Sequence, residues 1–105
     1  MNNIAGFLGI CRRANKLSFG FRAVKYSAES KRAKLLAYAK DSSEKTIKEC
    51  RYLSEKYCIP LLCLPCSKQQ LSKVFSKDVA VVAIEDNSFA KGLNQKITKG
   101  GEHYD

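Results

Sequence analysis

Ala33-Lys34-Leu35-Leu36-Ala37-Tyr38-Ala39 is too short and too apolar for a surface helix, and it reads as a buried strand. The residues after it alternate between helix and strand signals. Asp41, with Glu44 three residues later, makes a capping-box-like start, and Ile47, Cys50, Leu53 and Tyr57 continue the apolar stripe of a helix. Pro60 and Pro65 then bracket a strand through Leu61 to Leu64, since proline is tolerated at strand ends and not inside a ladder. Ser67 caps a short helix bearing Leu71, Val74 and Phe75, and Ser76 to Asp78 turn into a continuous apolar run, Val79 to Ile84, expected as the central strand. Asn87 caps a last helix with Phe89, Ala90, Leu93 and Ile97.

Upstream of the opening strand the alternation continues. Ile4, Phe7, Leu8, Cys11 and Ala14 recur at steps of three and four, which predicts an amphipathic helix over 3–14. Lys16 to Phe19 is extended, Gly20 punctuates it, and Phe21, Val24 and Ala28 mark a second helix to about Lys31. Helices and strands in alternation predict a three-layer α/β/α sandwich with a small, about four-stranded mixed sheet. Residues 1–97 are expected to form one domain and residues 98–105 a flexible tail. At 105 residues the chain can bury roughly 65% of its unfolded surface, enough to fold without disulfides or a metal.

Charge is regional. Residues 1–40 hold nine basic side chains (Arg12, Arg13, Lys16, Arg22, Lys25, Lys31, Arg32, Lys34 and Lys40) against Glu29 alone, so that stretch supplies nearly all of the net +9. Such a field attracts a polyanion, most often nucleic acid; the bland alternative is a solvated surface that aids solubility. No apolar run reaches the length of a membrane span, and no signal-peptide core is completed before Arg12 and Arg13. The expected location is the cytoplasm. Five cysteines, an odd number, do not suggest a secreted disulfide framework.

Cys63-Leu64-Pro65-Cys66 is the sharpest chemical motif, because a thiol at the start of a helix has a lowered pKa, as disulfide oxidoreductases require. It lies past the midpoint of the chain, and no later proline faces it. Zinc lacks a ligand set, with Cys11, Cys50 and Cys58 on separate elements and His103 in the tail. Phosphate-loop patterns are absent, the adjacent carboxylates Glu85 and Asp86 at a strand end point to opposite sides, and neither a cofactor nor catalysis is expected.

Lys16-Leu-Ser-Phe-Gly-Phe-Arg-Ala-Val-Lys25, Lys31-Arg-Ala-Lys-Leu-Leu-Ala-Tyr-Ala-Lys-Asp-Ser-Ser43, Ile59-Pro60 and Val79-Ala-Val-Val-Ala-Ile-Glu-Asp86 together carry a family signal. From about Ile4 to Leu93 the chain resembles the kink-turn RNA-binding superfamily of ribosomal proteins L-seven-Ae and L-thirty-e, which has small ribosome-associated bacterial members. The resemblance implies a site where the second helix begins, beside the end of the Ala39 strand and the loop before the last strand. Family members read guanine edges of a bent duplex with a Gly-x-Asn-Glu stretch and a later lysine, and cover an unstacked base with an apolar loop.

Lys16 and Gly20 match that pattern, whereas Arg22 stands at the asparagine position, Ala23 at the glutamate position and Tyr26, beside Lys25, at the later lysine. The apolar loop corresponds to about Ser76 to Ala80, including Lys77, Val79 and Ala80. Lys40 and Asp41 complete the expected site. Ala23 has no side-chain acceptor for guanine, but Arg22 suits the O6 and N7 edge or a phosphate, and Tyr26 suits base stacking. The expected protein is a monomeric, non-enzymatic binder of structured RNA such as ribosomal RNA, associated with the ribosome and not with membranes. Two alternatives stand beside it: a protein-interaction module of the same fold, and a thiol oxidoreductase using Cys63 and Cys66. The RNA reading requires the cations before Asp41 to converge around Gly20.

Overall fold

Alternating facing of the side chains along Leu35–Tyr38 (β2) decides how the layers stack. Leu35 and Ala37 enter one apolar cluster and Leu36 and Tyr38 another, as a period of two on a sheet covered on both faces requires. The computed structural model describes residues 4–103. Its elements run α1 (Ile4–Arg13), β1 (Leu17–Phe19), α2 (Phe21–Glu29), β2, α3 (Glu44–Tyr57), β3 (Leu61–Cys63), α4 (Lys68–Phe75), β4 (Val81–Ile84) and α5 (Asn87–His103).

The sheet order is β1-β4-β2-β3. β4 lies antiparallel to both neighbours, pairing Phe19 with Val82 on one side and Tyr38 with Val81 on the other, while β2 and β3 are parallel with Tyr38 opposite Cys63. The sheet is therefore mixed, and β4 is interior to it, as the apolar run predicts. One face packs Leu8 and Cys11 of α1, Leu71 and Phe75 of α4 and Leu93 of α5. The other packs Val24 and Ala28 of α2 with Cys50 and Leu53 of α3. This is the expected α/β/α sandwich.

Several boundaries differ from expectation. The cap of α3 is Ser43, whose hydroxyl accepts from the Thr46 N–H, and not Asp41, which is turned elsewhere. For α5 the carboxylate of Asp86 accepts from the Phe89 N–H at 3.0 Å, displacing Asn87 from the capping role. Val79 precedes β4 instead of opening it. α2 stops at Glu29, where Ser30 serves as the C-cap and Lys31 takes φ 63. Of the tail expected at 98–105, residues 98–103 continue α5, and 104–105 lie outside the described residues.

Candidate nucleic-acid interface

The strand directions bring the ends of β1, β2 and β3 and the start of β4 to one edge of the sheet. Three helices begin there: α2 after β1, α3 after β2 and α4 after β3. Backbone bonds tie this edge together. Gly20 N–H donates to the Val81 carbonyl at 3.0 Å, Ala39 N–H to the Ala80 carbonyl at 2.7 Å, and Lys40 N–H to the Cys66 carbonyl at 2.9 Å. Asp41 Oδ1 accepts from the Lys68 N–H at 2.8 Å and so anchors the first turn of α4 to the end of β2.

The three helix starts are not equivalent. Ser43 caps α3, and Ser67 with Gln70 forms a full capping box on α4, but Gly20 offers α2 no side chain. Its backbone explains the residue choice: φ 88 and ψ 144 suit glycine, and a Cβ would meet nothing within 4 Å. The first-turn N–H groups of α2 therefore stay open to an external acceptor, at the positive end of the helix dipole.

Arg22, Lys25 and Tyr26 stand three and four residues apart on the exposed face of α2, where helical spacing makes them neighbours. Tyr26 is 63% exposed. The side chains of Arg22, Lys25, Lys40 and Lys77 have no hydrogen-bond or ion-pair partner among the described residues. Phe21 and Lys25 also line a cleft against Lys48, Tyr52 and Leu53 of α3. Ala80 and Val79 line another with Lys68, Gln69, Ser72 and Asp78. Thus the structure brings Gly20, Arg22, Ala23, Lys25, Tyr26, Lys40, Asp41 and Ala80 to one end of the molecule, with Lys77 in the loop leading there.

Two expected members behave differently. Val79 is 3% exposed and belongs to the core, so its side chain does not form a surface for an unstacked base. Lys16 precedes β1, so a strand of about 13 Å separates it from Gly20. It lines a cleft at the opposite edge with Asn15, Arg32, Lys34 and Glu85. The cations before Asp41 therefore divide between two poles: Arg22, Lys25 and Lys40 stand at the Gly20 edge and Lys16, Arg32 and Lys34 at the other, so the convergence that the RNA reading requires is met by the first group alone. Arg12 joins neither group directly: its guanidinium lies over the rings of Phe19 at 5.0 Å and Phe75 at 5.7 Å.

Lys68 and Gln69 are neighbours of the site that the sequence pattern did not single out, although the Ser67 capping box places them in the first turn of α4. That boundary also bears on the cysteine motif. α4 begins at Lys68 with Ser67 as cap, so Cys63 and Cys66 both precede its first turn. Cys63 is exposed and Cys66 buried. The helix start therefore lies beyond both thiols.

An α/β/α sandwich with an uncapped, glycine-led helix start flanked by unpaired cations defines a class of small basic domain. A family model described as "Ribosomal protein L7Ae/L30e/S12e/Gadd45 family" matches residues 2–94, and the chain belongs to that family. It is 31% identical over 90 residues, covering 86% of each chain, to a protein of Enterococcus faecium named "RNA-binding protein YlxQ". A solved structure of a protein of unknown function from Bacillus halodurans C superposes with a TM-score of 0.80 over 90% of this chain and 96% of that one. At 22% identity, that likeness concerns the fold.

Proposed function

We propose that the chain is a non-enzymatic binder of structured RNA of the kink-turn or ribosomal type, acting through the edge around Gly20. The observation that carries this reading is the open start of α2: of the three helices that begin at this edge, it alone has no side-chain cap. Phosphate oxygens fit those N–H groups, and the absence of a Cβ at Gly20 permits the approach. Arg22 and Lys25 supply charge beside it, Tyr26 supplies a ring for stacking, and Lys40 and Lys68 extend the cationic rim. Family membership and the named function of the Enterococcus faecium relative support RNA as the partner.

Ala23 limits how bases are read. With no carboxylate at this position, guanine N–H groups lose the acceptor that the family pattern supplies, and discrimination passes to Arg22. A kink-turn RNA titrated against a plain duplex of equal length, at two salt concentrations, tests the proposal. Tighter binding to the bent RNA at both concentrations is expected. Equal binding rejects motif recognition, and no binding to either RNA at low salt rejects the RNA reading in favour of a protein-interaction module.

A further inference from the structure

The basic residues absent from the Gly20 edge gather at the opposite one. Glu85 N–H donates to the Lys16 carbonyl at 2.8 Å and Lys34 N–H to the Ile84 carbonyl at 2.7 Å, so Lys16 and Lys34 flank the end of β4 from its two neighbouring strands. Arg32 reaches the same cleft from the turn after α2, and Lys31 shares an adjoining cleft with Lys34 and Asn87. All four cations are exposed, and none has an ion-pair partner among the described residues.

The acid in this cleft is engaged elsewhere. Glu85 Oε2 accepts from the hydroxyls of Ser18 and Ser27, each at 2.6 Å, and Ser27 is 1% exposed. Glu85 is half-buried and turned to these two hydroxyls; its single negative charge offsets only one of the four cations and forms an ion pair with none of them. The last turn of α2 holds no basic residue, so the C-terminal dipole of that helix is met only by Lys31 and Arg32, just beyond the Ser30 C-cap. Lys16 and Lys34 sit at the strand starts. Charge placed this way, facing outward around an open cleft, matches the spaced phosphates of a nucleic-acid backbone.

We infer that this far edge, formed by Lys16, Lys31, Arg32 and Lys34, is a second RNA-backbone contact, so that one molecule holds two RNA segments at opposite poles. The first segment rests on the proposed Gly20 interface; the second is recognised by charge without reading bases. The poles are separated by more than the roughly 8 Å screening length of physiological salt, so each acts without strong interference from the other.

The test uses the full chain bound to an immobilised kink-turn RNA, to which a labelled plain RNA duplex is then added at physiological salt. The native chain should retain the duplex. The variant Lys16→Glu/Arg32→Glu/Lys34→Glu should retain it about tenfold less or worse while binding the kink-turn RNA within about threefold of native. If charge reversal lowers the melting temperature, the corresponding alanine set replaces it. No retained duplex with the native chain, or equal retention by the variant, overturns the inference. Should the kink-turn RNA itself fail to bind, the Gly20 reading fails, and direct titration of the duplex then decides the far edge: a loss of about tenfold in the variant supports it and equality overturns it.

Discussion

The carboxylate of Asp41 reaches across to the backbone N–H of Lys68 at 2.8 Å, so the end of β2 holds the beginning of α4. Alanine at position 41 removes an acceptor from a first-turn donor and is expected to cost about 1 kcal/mol, the usual worth of such a cap. Asp41→Asn keeps an acceptor oxygen and should recover part of that loss. Urea midpoints of the two variants measure the difference, and equal midpoints would show that water replaces the carboxylate without cost.

Gly20 separates a backbone requirement from a steric one. Its added Cβ meets no neighbouring atom, so the stability lost by Gly20→Ala comes from φ 88 alone, on the order of 1–3 kcal/mol. RNA affinity of the folded variant should fall as well, since the methyl stands where a phosphate approaches the start of α2. Thermal melting gives the first quantity and titration well below the melting temperature the second. A variant that loses stability but binds RNA normally would place the phosphate elsewhere.

Much of this arrangement is legible in the sequence, and the failures share a cause. Alternation of Leu35, Leu36, Ala37 and Tyr38, and the apolar run into Ile84, disclose a sheet covered on both faces because periodicity is local. Helix starts are less legible, since Asp41, Ser42 and Ser43 are all competent caps; Asp41 is drawn to Lys68, 27 residues away, and the Ser42 hydroxyl donates to the Ala39 carbonyl, which leaves Ser43. The same competition favours Asp86 over Asn87. At the site, Arg22, Lys25 and Tyr26 come together through helical spacing, but Lys16 is near Gly20 only in sequence. An extended strand carries its two ends apart, and β1 does so here. Val79 is misplaced by its sequence context because an apolar loop residue gives no local sign of whether it faces solvent or core.

Arg22 offers a choice between base and backbone that titration resolves. If its guanidinium holds guanine O6 and N7, Arg22→Ala should narrow the preference for kink-turn RNA over plain duplex by about 1–3 kcal/mol. If it holds a phosphate, both RNAs weaken alike and the salt dependence falls by about one unit of slope. Ala23→Glu restores a carboxylate at the exposed position beside it and should raise preference for the bent RNA. The ratio of the two dissociation constants, measured for each variant, distinguishes these outcomes.

Cys11 and Cys50 give the fold an alkaline limit. Burial raises both thiols from an ordinary 9.0 to about 11, aided by the negative charges of Asp86 near Cys11 and Glu49 near Cys50. Above pH 9 the unfolded chain releases these protons while the folded chain keeps them, so the unfolded state binds fewer protons and stability falls as pH rises. Their contribution is complete below pH 9 and is lost progressively toward pH 11. Urea midpoints taken from about pH 8 to 10.5 should decline by roughly 1–3 kcal/mol in stability. Cys11→Ala/Cys50→Ala starts lower, because buried volume is lost, yet its decline should be shallower. Parallel curves for native and variant chains would assign the alkaline loss to the lysines and tyrosines instead.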